Sequence, residues 1–264
     1  MSTQAPVAIQ SRDNPLLKAL RRLAREPGGY RKLGRVWLEG DHLCRAACTR
    51  GVQAAVAVFA ESFWPQAQAE WAGAATRTVV VADALWDGLS ALESPASMGF
   101  VLDLPAPGPV QPGVPTVVLD RLQDAGNVGS ILRSAAAFGF GQVVALKGTA
   151  ALWSPKVLRA GMGAHFGLHL IEGADADVVD ALGVPLVATS SHAGEVLHAA
   201  ALPVPCAWLM GHEGQGVSPA LEARADRQVR IAQPGGEESL NVAAAAAICL
   251  HASAAAALLA AGKS

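Results

Sequence analysis

The stretch from Leu104 to Pro115, LPAPGPVQPGVP, holds five prolines and two glycines. Proline locks φ and lacks a backbone donor, so such a segment can continue neither a helix interior nor a central strand. The 264-residue chain therefore reads as two folded parts, 1–104 and 116–264, joined by a linker at 105–115. With 52% hydrophobic and only 16% charged residues, the chain has the apolar content of a packed globular protein and excludes wholesale disorder.

After the linker, strand-like runs recur at Thr116–Leu119, Gln142–Leu146, Pro185–Thr189, Cys206–Met210 and Gln228–Ile231, with helical stretches between most of them. Strands alternating with helices predict an α/β fold with a mainly parallel sheet covered on both faces. Ligands of such sheets sit beyond the carboxyl ends of the strands. Three of those ends are rich in Gly or Ser: Thr189-Ser190-Ser191, Gly211 to Gly216, and Gln233 to Ser239. Before the linker, apolar runs at Val36–Leu38, Ala54–Phe59, Thr78–Val81 and Gly99–Leu102 alternate with helical patterns at His42–Thr49 and Phe63–Trp71, which predicts a small α/β domain.

Charge is unevenly distributed. Residues 1–40 carry eight basic groups (Arg12, Lys18, Arg21, Arg22, Arg25, Arg31, Lys32, Arg35) against three acidic ones, a net of +5 in a chain whose total is −2. Asn14 and Pro15 supply a helix cap and a first-turn proline, and Leu16, Leu17, Leu20 and Leu23 form a stripe beneath the basic side chains. A basic amphipathic helix of this kind is either a docking surface for a polyanion or a solvated face. The cysteines Cys44, Cys48, Cys206 and Cys249 lack the spacing of a disulfide framework, and no cleavable apolar leader is evident; both point to the cytoplasm. The uncharged stretch Val242–Ala261 is long enough to span a membrane. Its alanine content, with His251 and Ser253 inside it, instead predicts a helix packed on protein, with no membrane partner.

Several patterns imitate chemistry. GMGAHFG, Gly161–Gly167, resembles a dinucleotide-binding loop, but it follows a helical pattern rather than a strand. Gly262-Lys263-Ser264 lacks the earlier glycine of a phosphate-binding loop. Cys44 and Cys48 with His42 have no second ligand pair, so no metal site is assigned.

Three stretches carry more. In NVGSILRSAAAFG, Asn127–Gly139, Asn127 reads as a helix cap and Arg133 points away from the face of Ile131, Ala135 and Phe138. An arginine near a helix start opposes the helix dipole, so it calls for an anionic partner, whether ligand or structural ion pair. In LMGHEGQGVSP, Leu209–Pro219, three glycines surround Glu213 and let backbone approach a ligand. In IAQPGGEESLNVAAAAAI, Ile231–Ile248, a strand ends in a Pro-Gly-Gly turn, and Ser239 and Asn241 precede a long alanine helix.

In order and spacing these stretches resemble motifs 1, 2 and 3 of the SpoU (TrmH) branch of the SPOUT RNA methyltransferases, over residues 115–264. The resemblance implies a deep C-terminal trefoil knot that binds S-adenosylmethionine as methyl donor, with Gly211, Ile231 and Leu240, then Thr189 and Met210, as its contacts. It also implies a homodimer formed through the C-terminal domain, methyl transfer to a ribose 2′-hydroxyl, and no metal. Arg133 would be the central residue of that reaction, with Asn127, Glu213, Ser239 and Asn241 shaping the pocket. A guanidinium stays charged in proteins and is a poor proton acceptor, so Arg133 is read as phosphate clamp and alkoxide stabiliser. SRDNPLLKALRRL and VWLEGDHL in the first part are similar to the ribosomal-protein L30e-like module that precedes this domain, which implies RNA docking by the basic residues and favours ribosomal over transfer RNA. A base methyltransferase on the same fold, and an RNA-binding member without catalysis, are the alternatives. Departures from the pattern are Ala125 for proline, His212 for a small or amide residue, and Ala232-Gln233 for Pro-Met.

Overall fold

The computed structural model describes residues 5–71, 73–190, 194–235 and 239–262. By its internal contacts the chain divides into two units: Met1–Ala106 with Trp153–Phe166, and Pro107–Leu152 with Gly167–Ser264. Two features of this division lay outside the sequence reading. Most of the expected linker belongs to the second unit, where the His169 Nε2–H donates to the Pro109 carbonyl at 2.7 Å and the Gln111 N–H to Gln142 Oε1 at 2.8 Å. Trp153–Phe166, expected within the second domain, is instead part of the first unit.

The first unit is built on strands β1 (Val7–Ile9), β2 (Arg35–Glu39), β3 (Ala54–Ala60), β4 (Ala75–Val81) and β5 (Met98–Asp103), in the order β1-β4-β3-β5-β2. β2 and β3 both run antiparallel to β5, while β1 and β3 run parallel to β4. Helices α1 (Pro15–Arg25), α2 (Gly29–Leu33), α3 (Asp41–Thr49), α4 (Trp64–Trp71) and α5 (Asp83–Trp86) accompany them. Asn14 caps α1 as its sequence position implies, its side chain accepting from the Leu16 N–H at 2.9 Å. Leu17, Leu20 and Leu23 are buried beneath the basic face; each contributes about 1.5–3 kcal/mol by leaving water.

The second unit is a seven-stranded sheet of β6 (Thr116–Leu119), β7 (Gln142–Leu146), β8 (His169–Ala174), β9 (Leu186–Thr189), β10 (Glu195–Val196), β11 (Ala207–Met210) and β12 (Arg227–Arg230). Its order is β10-β12-β9-β11-β6-β7-β8, and every pairing is parallel. The helices after the linker are α6 (Ala125–Ala137), α7 (Pro155–Gly161), which lies in the first unit, α8 (Pro219–Glu222) and α9 (Val242–Ala261). The interior strands β6, β7 and β11 are wholly buried, so they read as continuous apolar runs. From β6 the chain steps outward through β7 to β8, then returns to place β9, β11 and β12 on the other side of β6. Such a reversal leaves a crevice at the carboxyl ends of the central strands.

Helix α9 packs on α6. Asn241 meets Asn127 near their starts, and the rings of His251 and Phe138 lie 5.4 Å apart further along, so the two helices run side by side in the same direction. Ser253, buried on α9, accepts a hydrogen bond from the Trp208 indole N–H at 2.9 Å, which fixes the helix to β11. The opposite side of α9 leaves Ile248, Leu258 and Leu259 exposed. By length and composition alone, α9 is apolar enough to cross a membrane.

Candidate functional site

Four chain segments leave the carboxyl ends of β6, β9, β11 and β12 close together in the second unit. Three of them, with the start of α9, wall a cavity of about 780 Å³, lined among others by Thr189, Gly211, Ile231, Gln233, Ser239 and Leu240. The expected cofactor contacts Thr189, Gly211, Ile231 and Leu240 are therefore gathered on one cavity. Met210 is not on its wall; it is fully buried as the last residue of β11. Ser191, part of the Ser-rich end noted after β9, and Gly236 of the Pro-Gly-Gly turn lie outside the described residues, as do Lys263 and Ser264.

The loop after β11 is folded tightly on itself. His212 and Gly216 exchange backbone hydrogen bonds of 3.0 and 2.9 Å, and Gly216 takes φ +70°. A Cβ on Gly211 would lie 2.0 Å from Gly216 C and Val217 N, so only glycine fits beneath the returning chain. His212 Nδ1 accepts from the Gly214 N–H at 3.0 Å, so the histidine that departs from the family pattern staples the loop.

This fold aims Glu213 at the start of α6. Its carboxylate accepts from the backbone N–H of Gln123 at 3.3 Å and of Asp124 at 3.1 Å, and from Asn127 Nδ2 at 3.3 Å. Partial burial pushes the Glu213 carboxyl up, but these hydrogen bonds, together with one from its own backbone N–H, outweigh burial and hold it below the usual carboxylate range. Asn127 Oδ1 in turn accepts from Asn241 Nδ2 at 3.0 Å, and Asn241 Oδ1 accepts from the N–H groups of Ala243 and Ala244 at 2.9 and 3.2 Å. Each amide has one orientation in this chain: a carboxylate only accepts, so Asn127 must donate to it, Asn241 must donate to Asn127, and the Asn241 oxygen is left to cap α9. The cap of α6 is Asp124, whose Oδ1 accepts from the Asn127 N–H at 2.8 Å. Asn127, read from sequence as the cap, is the third helical residue, and its side chain is free to join Glu213 to Asn241.

The expected catalytic residues thus separate into two groups. Glu213, Asn127 and Asn241 form one connected network. Arg133 is exposed on α6 and makes no hydrogen bond or ion pair among the described residues. Six residues from Asn127, it lies about 9 Å along the helix axis and about 120° around it. Ser239 is exposed on the cavity rim. Sequence reasoning also missed Gln233, whose Oε1 is buried beside the cavity without a partner among the described residues, and Glu222, which adds a second carboxylate to the cavity wall. Among the described residues no three His, Cys, Asp or Glu side chains converge on a metal-sized site.

The eight basic residues lie in the first unit, on α1, α2 and the segments beside them, and several are already engaged. Lys18 pairs with Asp13 at 3.0 Å, Arg22 with Glu26 at 3.2 Å and Arg35 with Asp103 at 3.4 Å. Arg21 and Arg25 donate to the carbonyls of Arg12 and Gly88, and the Arg31 guanidinium sits 5.2 Å from the Tyr30 ring centre. Arg12 and Lys32 complete the set and are exposed. Hydrogen bonds from Lys18 and Arg22 hold the Asp13 and Glu26 carboxyls below their usual range.

Comparison with known proteins agrees with this architecture. A curated relative from Bacillus subtilis, the 23S rRNA (guanosine(2553)-2′-O)-methyltransferase RlmP, is 35% identical over 138 residues, which span 51% of this chain and 56% of that protein. The uncharacterized tRNA/rRNA methyltransferase slr1673 of Synechocystis is 29% identical over 254 residues, 92% of each chain. The AdoMet-bound rRNA methyltransferase from Sinorhizobium meliloti superposes with a TM-score of 0.79 at 26% identity, over 93% of this chain and 96% of that one. The model of the SpoU rRNA Methylase family matches residues 115–251, just over half of the chain and the part that contains the parallel sheet, the cavity and the Glu213–Asn127–Asn241 network. The chain belongs to the SpoU rRNA methylase family.

Proposed function

We propose that this protein transfers a methyl group from S-adenosylmethionine to a ribose 2′-hydroxyl of ribosomal RNA. The observation that carries the reading is the junction of the cavity with the Glu213–Asn127–Asn241 network: Glu213 lines the cavity and holds Asn127, so one side chain belongs to both. The cavity fits the methyl donor in size and chemistry. Ile231, Leu240 and Val242 offer apolar walls to an adenine ring, Glu213 and Glu222 offer negative charge toward a sulfonium, and Gln233, on turning into the cavity, offers an acceptor. The donor supplies a methyl group on a positively charged sulfur; transfer forms the bond to the 2′-oxygen, breaks the bond to sulfur to leave the neutral thioether, and passes the hydroxyl proton to water.

The protein's own part is orientation and electrostatics. The carboxylate of Glu213 is held in its ionised form by four donors, which suits it to fixing Asn127 and not to taking a proton. Arg133, charged and without a protein partner among the described residues, is available to an RNA phosphate and to the developing alkoxide. The path of the chain through a trefoil knot is part of the proposal, supported by α9 returning from β12 to pack on α6. So is a homodimer: the exposed Ile248, Leu258 and Leu259 lie on a helix whose many alanines allow close approach, and a second copy would cover them. The first unit is assigned to RNA docking as an L30e-like module, because exposed ion pairs such as Lys18–Asp13 are worth about 0–1 kcal/mol and yield readily to phosphates.

The test is transfer of labelled methyl groups to ribosomal RNA lacking modification, followed by alkaline hydrolysis. Label in alkali-resistant dinucleotides is expected, since a 2′-O-methyl group removes the nucleophile that cleaves the chain. Label on a base would replace this reading with base methylation, and a protein that binds RNA without transferring label would be a non-catalytic member.

A further inference from the structure

At the carboxyl end of β6, the fully buried run Thr116–Leu119 gives way to Asp120 and Arg121. Asp120 is only 3% exposed, a carboxylate buried at the edge of the cavity loop. Its Oδ1 accepts from Arg121 Nε at 3.0 Å, and its Oδ2 from the Ser218 backbone N–H at 2.7 Å and from Arg121 Nη2 at 3.4 Å. Arg121 Nη1 reaches across to Gln215 Oε1 at 3.0 Å. Asp120 and Arg121 together therefore grip the loop after β11 at two points, Gln215 in its middle and Ser218 at its end. Gln215 and Val217, between and beside these grips, line the cavity.

The backbone of Arg121 takes φ +60°, a left-handed conformation that glycine adopts freely and arginine does not. The surroundings enforce it. The Arg121 N–H donates to Thr149 Oγ1 at 3.1 Å, Thr149 is anchored to the Leu119 carbonyl at 2.9 Å, and Gly148 leaves room for the side chain, since a Cβ there would lie 3.3 Å from Arg121 Cγ. If the turn alone mattered, glycine would serve it better. The strained arginine contributes what glycine cannot: a guanidinium folded back over Asp120 and onto Gln215.

We infer that Asp120 and Arg121 are positioning residues that set the shape of the Gly211–Val217 loop for the methyl donor, without touching the reacting atoms. This inference rests on the cavity being the donor site. Glu213 ties the same loop to Gln123, Asp124 and Asn127, so the loop is braced on both sides: one brace leads to the reaction network, the other to the cavity wall.

The informative variant is Arg121→Gly, because it relieves the left-handed strain, keeps the N–H bond to Thr149 and removes the side chain that carries the guanidinium. Four readouts separate the possibilities. Removal of the guanidinium leaves the buried Asp120 carboxylate without its cation, so the melting temperature of Arg121→Gly should fall, and the double variant Asp120→Asn with Arg121→Gly, which removes the buried charge as well, should recover most of it. Amide hydrogen exchange at Gln215–Ser218 should accelerate, S-adenosylmethionine affinity by calorimetry should weaken about fivefold, and KM for the donor should rise with kcat at saturation within about twofold. Arg121→Lys, which keeps a cation but not the fork, should fall between the two. Wild-type exchange and affinity in Arg121→Gly would overturn the inference, as would an affinity that returns to the wild-type value in the double variant together with the melting temperature. If wild type itself fails to bind S-adenosylmethionine, the reading of the cavity falls, while the exchange measurement still decides whether Arg121 braces the loop.

Discussion

On the basic face of the first unit, the ion pairs Lys18–Asp13, Arg22–Glu26 and Arg35–Asp103 each join one exposed cation to one carboxylate. At the carboxyl ends of the second unit's sheet, the contacts join residues 86 and 114 apart, Glu213 to Asn127 and Asn127 to Asn241, and each amide is forced into one orientation. Single, solvated pairs leave a surface adaptable, which suits a partner recognised by charge. Long-range contacts in a fixed donor sequence define a geometry, which suits chemistry. The difference predicts that mutations in the two regions fail in different ways.

The largest effect belongs to Arg133→Ala and Asn127→Ala. Each should lower methyl transfer by about 100-fold or more, the scale of losing one group that stabilises a transition state. Affinity for S-adenosylmethionine should stay within about twofold in Arg133→Ala, measured by calorimetry. Full activity in that variant would break the assignment of chemistry to the second unit.

Stability effects come next. Ser253→Ala strands the buried Trp208 indole N–H and should cost about 1–3 kcal/mol in denaturant unfolding. Asn241→Ala removes the α9 cap, at about 0.5–2 kcal/mol, and should also impair transfer because it releases Asn127.

On the basic face, the double variant Arg21→Ala with Arg25→Ala should raise KM for RNA about 3- to 10-fold. It should also make the affinity less dependent on salt, by about one to two units of log–log slope, while leaving donor affinity unchanged. Loss of donor affinity in that variant would erase the contrast between the regions.

The smallest effect is a pH dependence. Hydrogen bonds hold the folded-state Glu213 carboxyl below its ordinary value of 4.5. Their contribution is therefore fully present above 4.5 and is lost as pH falls through the lower folded value. The stability difference between wild type and Glu213→Gln, about 1 kcal/mol or less because the group is largely exposed, should shrink as unfolding is followed from pH 6 toward 3. A difference that instead grew on acidification would contradict the hydrogen-bond account.

Sequence reading succeeded where burial leaves a one-residue signature. β6 and β7 are wholly buried, and their apolar runs coincide with Thr116–Leu119 and Gln142–Leu146. It missed β1, β8 and β10, which lie at sheet edges and are short or partly exposed: His169, Glu172 and Gly173 interrupt the pattern of β8. The residence of Trp153–Phe166 in the first unit is a long-range fact that no local periodicity encodes. In the candidate site, motif order located the cavity wall and the Glu213–Asn127–Asn241 network. It did not distinguish the cap Asp124 from the network member Asn127, since both residue types cap helices. Asp120 and Arg121 left one trace, two charges directly after a fully buried strand, whose meaning depends on a loop 94 residues away from Arg121.

The central claim is that the methyl donor binds at the carboxyl ends of the second sheet and that RNA charge is met in the first unit. Amide chemical-shift mapping of the isotope-labelled full chain tests it directly. Addition of S-adenosylmethionine should move resonances of Thr189, Gly211–Val217, Ile231, Gln233 and Leu240 and leave Leu16–Arg35 unmoved; later addition of ribosomal RNA fragments should move Leu16–Arg35. Shifts on donor binding that centre on the first unit, or that leave Gly211–Val217 unmoved, would contradict the account.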